Sequence, residues 1–200
     1  MVNIVEVVSF PASQLYLDDP QKFANDAYKM MHVVPGYYLA FNGVEVENKE
    51  TGWVFVGWES VEHHARMPQH PNGPDILAQW SQVCPGEANF IVHVETDGNF
   101  KPFEQPALEL VSIKLKNIED KEKLEDLLRM INARHAGKLT WGSVKEEEGA
   151  YKIFNGWQSV EAHLEAAKQS KPEDVADIKA LAELADFAYC HVKLHVPERA

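Results

Sequence analysis

The chain has 200 residues, 45% hydrophobic and 25% charged, and a formal net charge of −12. This is an ordinary globular composition with room for one large domain or two small ones, and its acidic balance disfavours nucleic acid as a partner. No run nears the roughly 18 apolar residues of a membrane span, and the start "MVNIVEVVSF" lacks the basic region of a signal peptide. The expectation is a cytoplasmic protein with no membrane partner.

Residues 3–10 are β-branched and apolar and predict a strand. Asp19 followed by Pro20 offers an N-cap and a first-turn proline, and Phe23, Ala27, Met30 and Met31 then recur at helical spacing. Residues 36–47 and 53–58 predict two strands joined by the polar turn "NKETG". Ser60 suits the cap of a short helix carrying Glu62 and His63. After the interruption "MPQHPNGPD", residues 75–83 read as a helix and 88–95 as a last strand. The segment "TDGNFKPFEQP" (96–106) has no periodicity and reads as a connection. The second half predicts a strand at 107–116, a helix at 119–134, strands at 138–146 and 151–157, helices at 159–169 and 173–185, and a strand at 187–195. The expected limits are an N-terminal repeat at 1–98, a linker at 99–106 and a C-terminal repeat at 107–200.

The halves repeat one another. "GWESVEHH" (57–64) and "GWQSVEAH" (156–163) share six of eight residues, 99 positions apart. "VFVGW" (54–58) matches "IFNGW" (153–157), and "AYKMMHVVPG" (27–36) lines up with "LLRMINARHAG" (127–137), placing Phe41 opposite Trp141. "FIVHVE" (90–95) resembles "AYCHVKLH" (188–195), placing His93 opposite His191, and "VEVVSF" (5–10) parallels "LELVSI" (108–113). A β-α-β-β-α-α-β order is a ferredoxin-like unit with helices on one sheet face. Strands such as "YYLAF" and "FIVHV" are apolar on both sides, so the second face must also be covered. An α+β fold follows, with two such repeats forming a pseudo-dimeric α/β barrel.

Strand–helix–strand–strand ending in "GWESVEHH", followed by a helical stretch and a strand, resembles the dimeric α/β-barrel superfamily. It is similar to its antibiotic-biosynthesis-monooxygenase and stress-responsive A/B-barrel branches, fused here in tandem. The resemblance covers nearly the whole chain twice. It implies no single activity, because the superfamily includes cofactor-free oxygenases, polyketide cyclases, lactone isomerases, haem enzymes and proteins without an assigned reaction. Plant polyketide cyclases of this kind share the "ESVE" corner and a His-Pro-x-His stretch whose second His is the acid/base. Here His70-Pro71 is kept but Gly73 stands at the second histidine's place, which argues against carrying that mechanism over.

Within the octet, most residues have a structural reason. Gly57 and Gly156 give room at a strand end for the following helix or a bulge. Trp58 and Trp157 are apolar wedges, Ser60 and Ser159 are caps, and Glu62 and Glu161 suit the first helical turn. His64 and His163 do not share that explanation. They read either as half-buried helix histidines or as acid/base groups lining a cavity. His93 and His191 alternate with apolar residues, which points them into the barrel or toward the helices, and parity alone decides neither. The candidate catalytic set is His64, His93 and His70. The candidate substrate-binding set is Tyr38, Phe41, Trp58, Trp80, Trp141, Trp157, His163 and His191.

No protein-ligated metal is expected, since His63 and His64 are adjacent on a helix and no HExxH occurs. Neither GxSxG nor GxGxxG is present, and Cys84 and Cys190 lack an activating arrangement. The leading expectation is an enzyme with no cofactor, using histidine acid/base chemistry on a small aromatic or polyketide-like molecule. It would act as a cyclase, isomerase, lyase or oxygenase. The alternatives are a non-catalytic ligand-binding or stress-responsive barrel and a haem-binding barrel. The N-terminal half is the expected active half, with "PQHPNGPD" as a lid. The fused copies predict a monomer with an internal pseudo-twofold or a weak homodimer.

Overall fold

A computed structural model describes residues 3–197; residues 1–2 and 198–200, which the repeat limits include, lie outside it. Eight strands are described: β1 (Asn3–Pro11), β2 (Tyr37–Glu45), β3 (Thr51–Trp58), β4 (Phe90–Thr96), β5 (Ala107–Leu115), β6 (Leu139–Val144), β7 (Ala150–Trp157) and β8 (Ala185–His195). They close into one antiparallel barrel in the order β1-β3-β2-β8-β5-β7-β6-β4. Each half supplies four contiguous strands, and the halves meet at two seams, β2 with β8 and β4 with β6.

The seams need glycine. A Cβ on Gly43 would lie 2.2 Å from the Lys193 carbonyl oxygen, and one on Gly142 would lie 1.9 Å from that of Glu95. These matched positions correct the alignment of Phe41 with Trp141. In register, Gly43 matches Gly142, so Phe41 matches Thr140 and faces the barrel interior, while Trp141 matches Asn42 and packs with the helix-side core.

The helices lie outside the barrel. They are α1 (Gln14–Asp18), α2 (Pro20–Met31), α3 (Val61–Arg66), α4 (Gly73–Val83), α5 (Lys121–Arg134), α6 (Val160–Lys168) and α7 (Pro172–Leu184). The caps follow the sequence: Asp19 accepts from Lys22 N–H at 2.8 Å, and Ser60 and Ser159 accept from the His63 and Ala162 N–H groups. α1 has no counterpart in the sequence expectation. Its Tyr16 is fully buried, with its hydroxyl on the Gly43 carbonyl at 2.9 Å. No helix among the described residues is long and apolar enough to cross a membrane.

Both sheet faces are covered, as the strand pattern requires. Inside the barrel, Val5, Val7, Phe41, Phe55, Leu108, Leu110, Phe154 and Val192 form one packed core. The connection between halves enters it. Residues Lys101–Glu104 form a 3₁₀ turn, and fully buried Phe103 sits 5.4 Å from Phe41, 5.4 Å from Phe55 and 4.9 Å from Phe154, ring centre to ring centre. The octet glycines make room for this connection rather than for the helix that follows them. A Cβ on Gly57 would meet Phe100 at 3.2 Å, and one on Gly156 would meet the Pro102 carbonyl at 2.3 Å.

Truncating Phe103 to alanine should therefore cost about 3–5 kcal/mol of stability. Denaturant unfolding checks this, and a loss below about 1 kcal/mol would show that the plug contributes little.

Candidate active site

The octet places His64 by a short chain of constraints. β3 ends at Trp58, Ser60 caps α3, and His64 then lies one turn into the helix and turns back onto the strand. Its ring stacks on Trp58 with centroids 5.3 Å apart. Trp58 is buried and donates its indole N–H to Glu6 Oε2 at 2.7 Å. The other oxygen, Glu6 Oε1, lies 3.3 Å from His64 Nε2. Glu6 faces the helices from β1, because Val5 and Val7 on either side belong to the barrel core.

His93 completes the arrangement. Val92 and Val94 point into the barrel, so His93 points toward the helices, where its Nε2 meets His64 Nδ1 at 2.8 Å. The remaining partner comes from the other half. Glu146 follows β6 in the β6–β7 hairpin and takes both the His93 backbone N–H (2.8 Å) and His93 Nδ1 (2.5 Å). A continuous chain thus runs Glu6–His64–His93–Glu146, from a nearly buried carboxylate to one that is 41% exposed.

Its protons can be counted. Three contacts join two imidazoles and two carboxylates, and two neutral imidazoles carry two N–H groups. Glu146 accepts from both His93 N–H groups, which fixes the Nδ1–H tautomer and leaves Nε2 to accept from His64 Nδ1–H. His64 Nε2 is then bare and faces Glu6. The neutral chain lacks one proton at that end. Burial holds His64 below the usual histidine value of 6.5 against the opposing pull of Glu6, and the His93 ring adds to the lowering. For Glu146 desolvation is the largest influence and would raise its carboxyl, but hydrogen bonds from the His93 backbone and ring outweigh it and leave the group below its usual 4.5.

The proton-deficient end borders a cavity of about 170 Å³ between the sheet and helices α2 and α4. Glu6, Trp58 and His64 line one part of it; Ala24, Ala27, Val54, Ile76 and Trp80 supply apolar wall. "MPQHPNGPD" leads through a 3₁₀ turn (Met67–Gln69) into α4, which roofs the cavity and is tied to α2 by Asn72 Nδ2 on the Met30 carbonyl at 2.9 Å. His70 is spent on that turn, where its Nδ1 accepts the Asn72 N–H at 3.2 Å, and it does not line the cavity. Tyr38 is 43% exposed and lies outside the cavity lining. Phe41 reaches the cavity only as a barrel-core residue, and Trp80 lines it directly.

The remaining candidates build the same chain again. Trp157 donates to Glu109 Oε2 at 3.1 Å and stacks on His163 with centroids 4.6 Å apart. His163 Nδ1 meets His191 Nε2 at 2.7 Å, and His191 takes Glu47 of the first half through its backbone N–H (2.9 Å) and Nδ1 (2.5 Å). Here bulk occupies the helix–sheet space: α5 presents Leu124, Leu127 and Leu128, and Leu139 and Trp141 stand where Ala40 and Asn42 line the first-half cavity. Trp141 thus packs a core. The sequence reading did not single out Glu6, Glu109, Glu47 or Glu146. Among the described residues no group of three or more His, Cys, Asp or Glu is arranged to hold a metal ion.

No protein-family profile matches the chain, and no curated protein matches it. Solved structures show the fold. A provisionally assigned monooxygenase of Fusobacterium nucleatum superposes with a TM-score of 0.74 at 12% identity, over 96% of this chain and 92% of that one. One from Lactobacillus acidophilus gives 0.70 at 12% identity, over 98% and 97%. An anthrone oxidase-like protein gives 0.62 at 12% identity, over 99% and 94%. The chain has the α/β-barrel fold of these proteins, in its tandem form.

The depressed histidines set a sign for acid stability. Below 6.5 the unfolded chain takes protons that native His64 and His163 refuse, so stability falls as pH drops from 6.5 toward their lower folded values. Unfolding midpoints measured between pH 6.5 and the ordinary carboxylate value of 4.5 should fall, and should fall less steeply in a His64→Gln, His163→Gln double variant. Equal slopes would contradict the assignment.

Proposed function

We propose that the protein is an enzyme that removes a proton from a small planar aromatic or polyketide-like molecule held in the first-half cavity. The observation that carries this reading is the proton-deficient His64–Glu6 contact bordering an apolar cavity, with a hydrogen-bonded path through His93 to Glu146. An apolar cavity of about 150 Å³ suffices for a benzene ring, so the enclosed space takes one ring of a fused system and the rest extends past half-exposed Leu77 and Ile91 at the cavity edge. His64, with Glu6, accepts the substrate proton, and His93 and Glu146 hold the tautomer and spread the charge. The Trp58 N–H, committed to Glu6, keeps that carboxylate aimed at the imidazole.

An oxygenase outcome is supported by the neighbours' names and by chemistry that needs no bound cofactor. An anthrone deprotonated at its methylene carbon gives a stabilised carbanion. That carbanion adds O₂, the peroxide takes up a proton, and loss of water leaves the quinone. One O₂ is consumed, with one oxygen atom retained and one released as water. A second reading, a binding barrel in which the chain only fastens the halves, is favoured by the copy Glu109–His163–His191–Glu47, which recurs where Leu139 and Trp141 replace the cavity-lining Ala40 and Asn42.

Oxygen uptake and quinone formation with anthrone separate the two. In the enzyme reading His64→Gln lowers kcat/KM by about 10²–10⁴-fold. Ala27→Leu, which copies the bulk of α5, abolishes turnover by filling the cavity while leaving the fold intact. Unchanged turnover in His64→Gln, or ligand binding without turnover, would favour the binding barrel.

A further inference from the structure

A second cleft, of about 480 Å³, opens at the barrel end that carries the β6–β7 hairpin. Phe90, Val92, Val144 and Phe187 give it apolar walls, and Lys152 and Ser112 also line it. Lys152 lies on β7 between Tyr151 and Ile153, which both belong to the helix-side core, so its side chain points the other way, into the barrel end. Its amine donates to Ser112 Oγ at 2.6 Å and sits 4.9 Å from the Phe90 ring centre. Among the described residues no carboxylate lies within 4 Å of it.

The repeat shows that folding does not require an amine there. Lys152 pairs across the sheet with Ser112 and Gly142; in the first half Trp53 pairs with Ser9 and Gly43. Trp53 is a buried core residue at the matching place. A lysine replacing an apolar plug, next to an open cleft, is costly to keep charged. Burial holds its ammonium below the usual 10.5, against the opposing pull of Glu147. The other ionisable groups at the rim are committed or inert: Lys114 binds Glu147 at 2.6 Å, and Asp186 lies 3.7 Å from Lys116. Cys190 is kept as the thiol, pushed up to about 12 by burial.

We propose that Lys152 is a nucleophilic amine in a second site, and that this site takes small aldehydes or ketones with an apolar arm. The neutral amine attacks the carbonyl carbon; the C–N bond forms and the carbonyl π pair moves to oxygen, which takes up the proton released by nitrogen. The carbinolamine then expels water, leaving the imine, so amine and carbonyl give imine and water with no oxidant or reductant. Ser112, hydrogen-bonded to the amine, is placed to pass the proton. The site shares no residue with the His64 cavity and stands independently of the function proposed for it.

The test is reductive trapping of the full chain with benzaldehyde and cyanoborohydride at neutral pH, followed by peptide mapping against time. Each unit by which an ammonium is weakened raises its neutral fraction about tenfold. Lys152 should therefore be benzylated faster than Lys22 or Lys123, whose carboxylate partners raise their values. Lys152→Met should lose that adduct alone and keep the turnover of the other cavity. Labelling of Lys152 no faster than of those surface lysines, or no labelling, would overturn the proposal. The wild-type map decides this even if the variant folds poorly.

Discussion

His93 and His191 each obtain a carboxylate from the opposite half of the chain. His93 is held by Glu146 and His191 by Glu47, and these contacts exist only because β4 pairs with β6 and β2 with β8. Neither half alone completes a Glu–His–His–Glu chain. The constraint reaches down to single residues: Gly43 and Gly142 permit the seams, and the octet glycines admit the connection whose Phe103 fills the barrel. A filled barrel leaves the outer helix–sheet layer as the place for a cavity beside the histidines.

Duplication makes the role of the chain of residues sharper. The same Glu–His–His–Glu order occurs twice, so its geometry by itself serves closure as well as chemistry. What differs is side-chain bulk. Ala24 and Ala27 on α2 leave space that Leu124, Leu127 and Leu128 on α5 fill, and Ala40 and Asn42 leave space where Leu139 and Trp141 pack. The first half thus joins its histidine–carboxylate contact to a void, and in the second packed side chains take that space. Lys152 against Trp53 breaks the symmetry in the other direction, at the barrel end.

Much of this was legible in the chain. Two-sided apolar strands and the repeated octet imply a closed double layer, and the caps at Ser60 and Ser159 lie where the sequence puts them. The pairing of "VEVVSF" with "LELVSI" even sets Glu6 opposite Glu109, yet a glutamate in a strand reads as a solvent-facing residue until Trp58 and His64 are seen to cover it. Glu47 and Glu146 sit just past strands in acidic turns, where charge is expected for solubility alone. Their role depends on a seam between halves, which local pattern does not encode. Strand parity left His93 two directions, and only the packing of Val92 and Val94 inside the barrel selects one. The cavity was illegible because it is a difference in bulk between two helices that both look amphipathic.

The central claim is that the Glu6–His64–His93–Glu146 chain lacks one proton, and lacks it at the cavity end. Long-range proton–nitrogen NMR of the histidine-labelled protein at neutral pH reads this directly. The account predicts Nδ1–H tautomers for both His93 and His64, with a bare His64 Nε2 that protonates below the usual histidine value of 6.5. A His64 found as the Nε2–H tautomer, or as imidazolium at neutral pH, would contradict it.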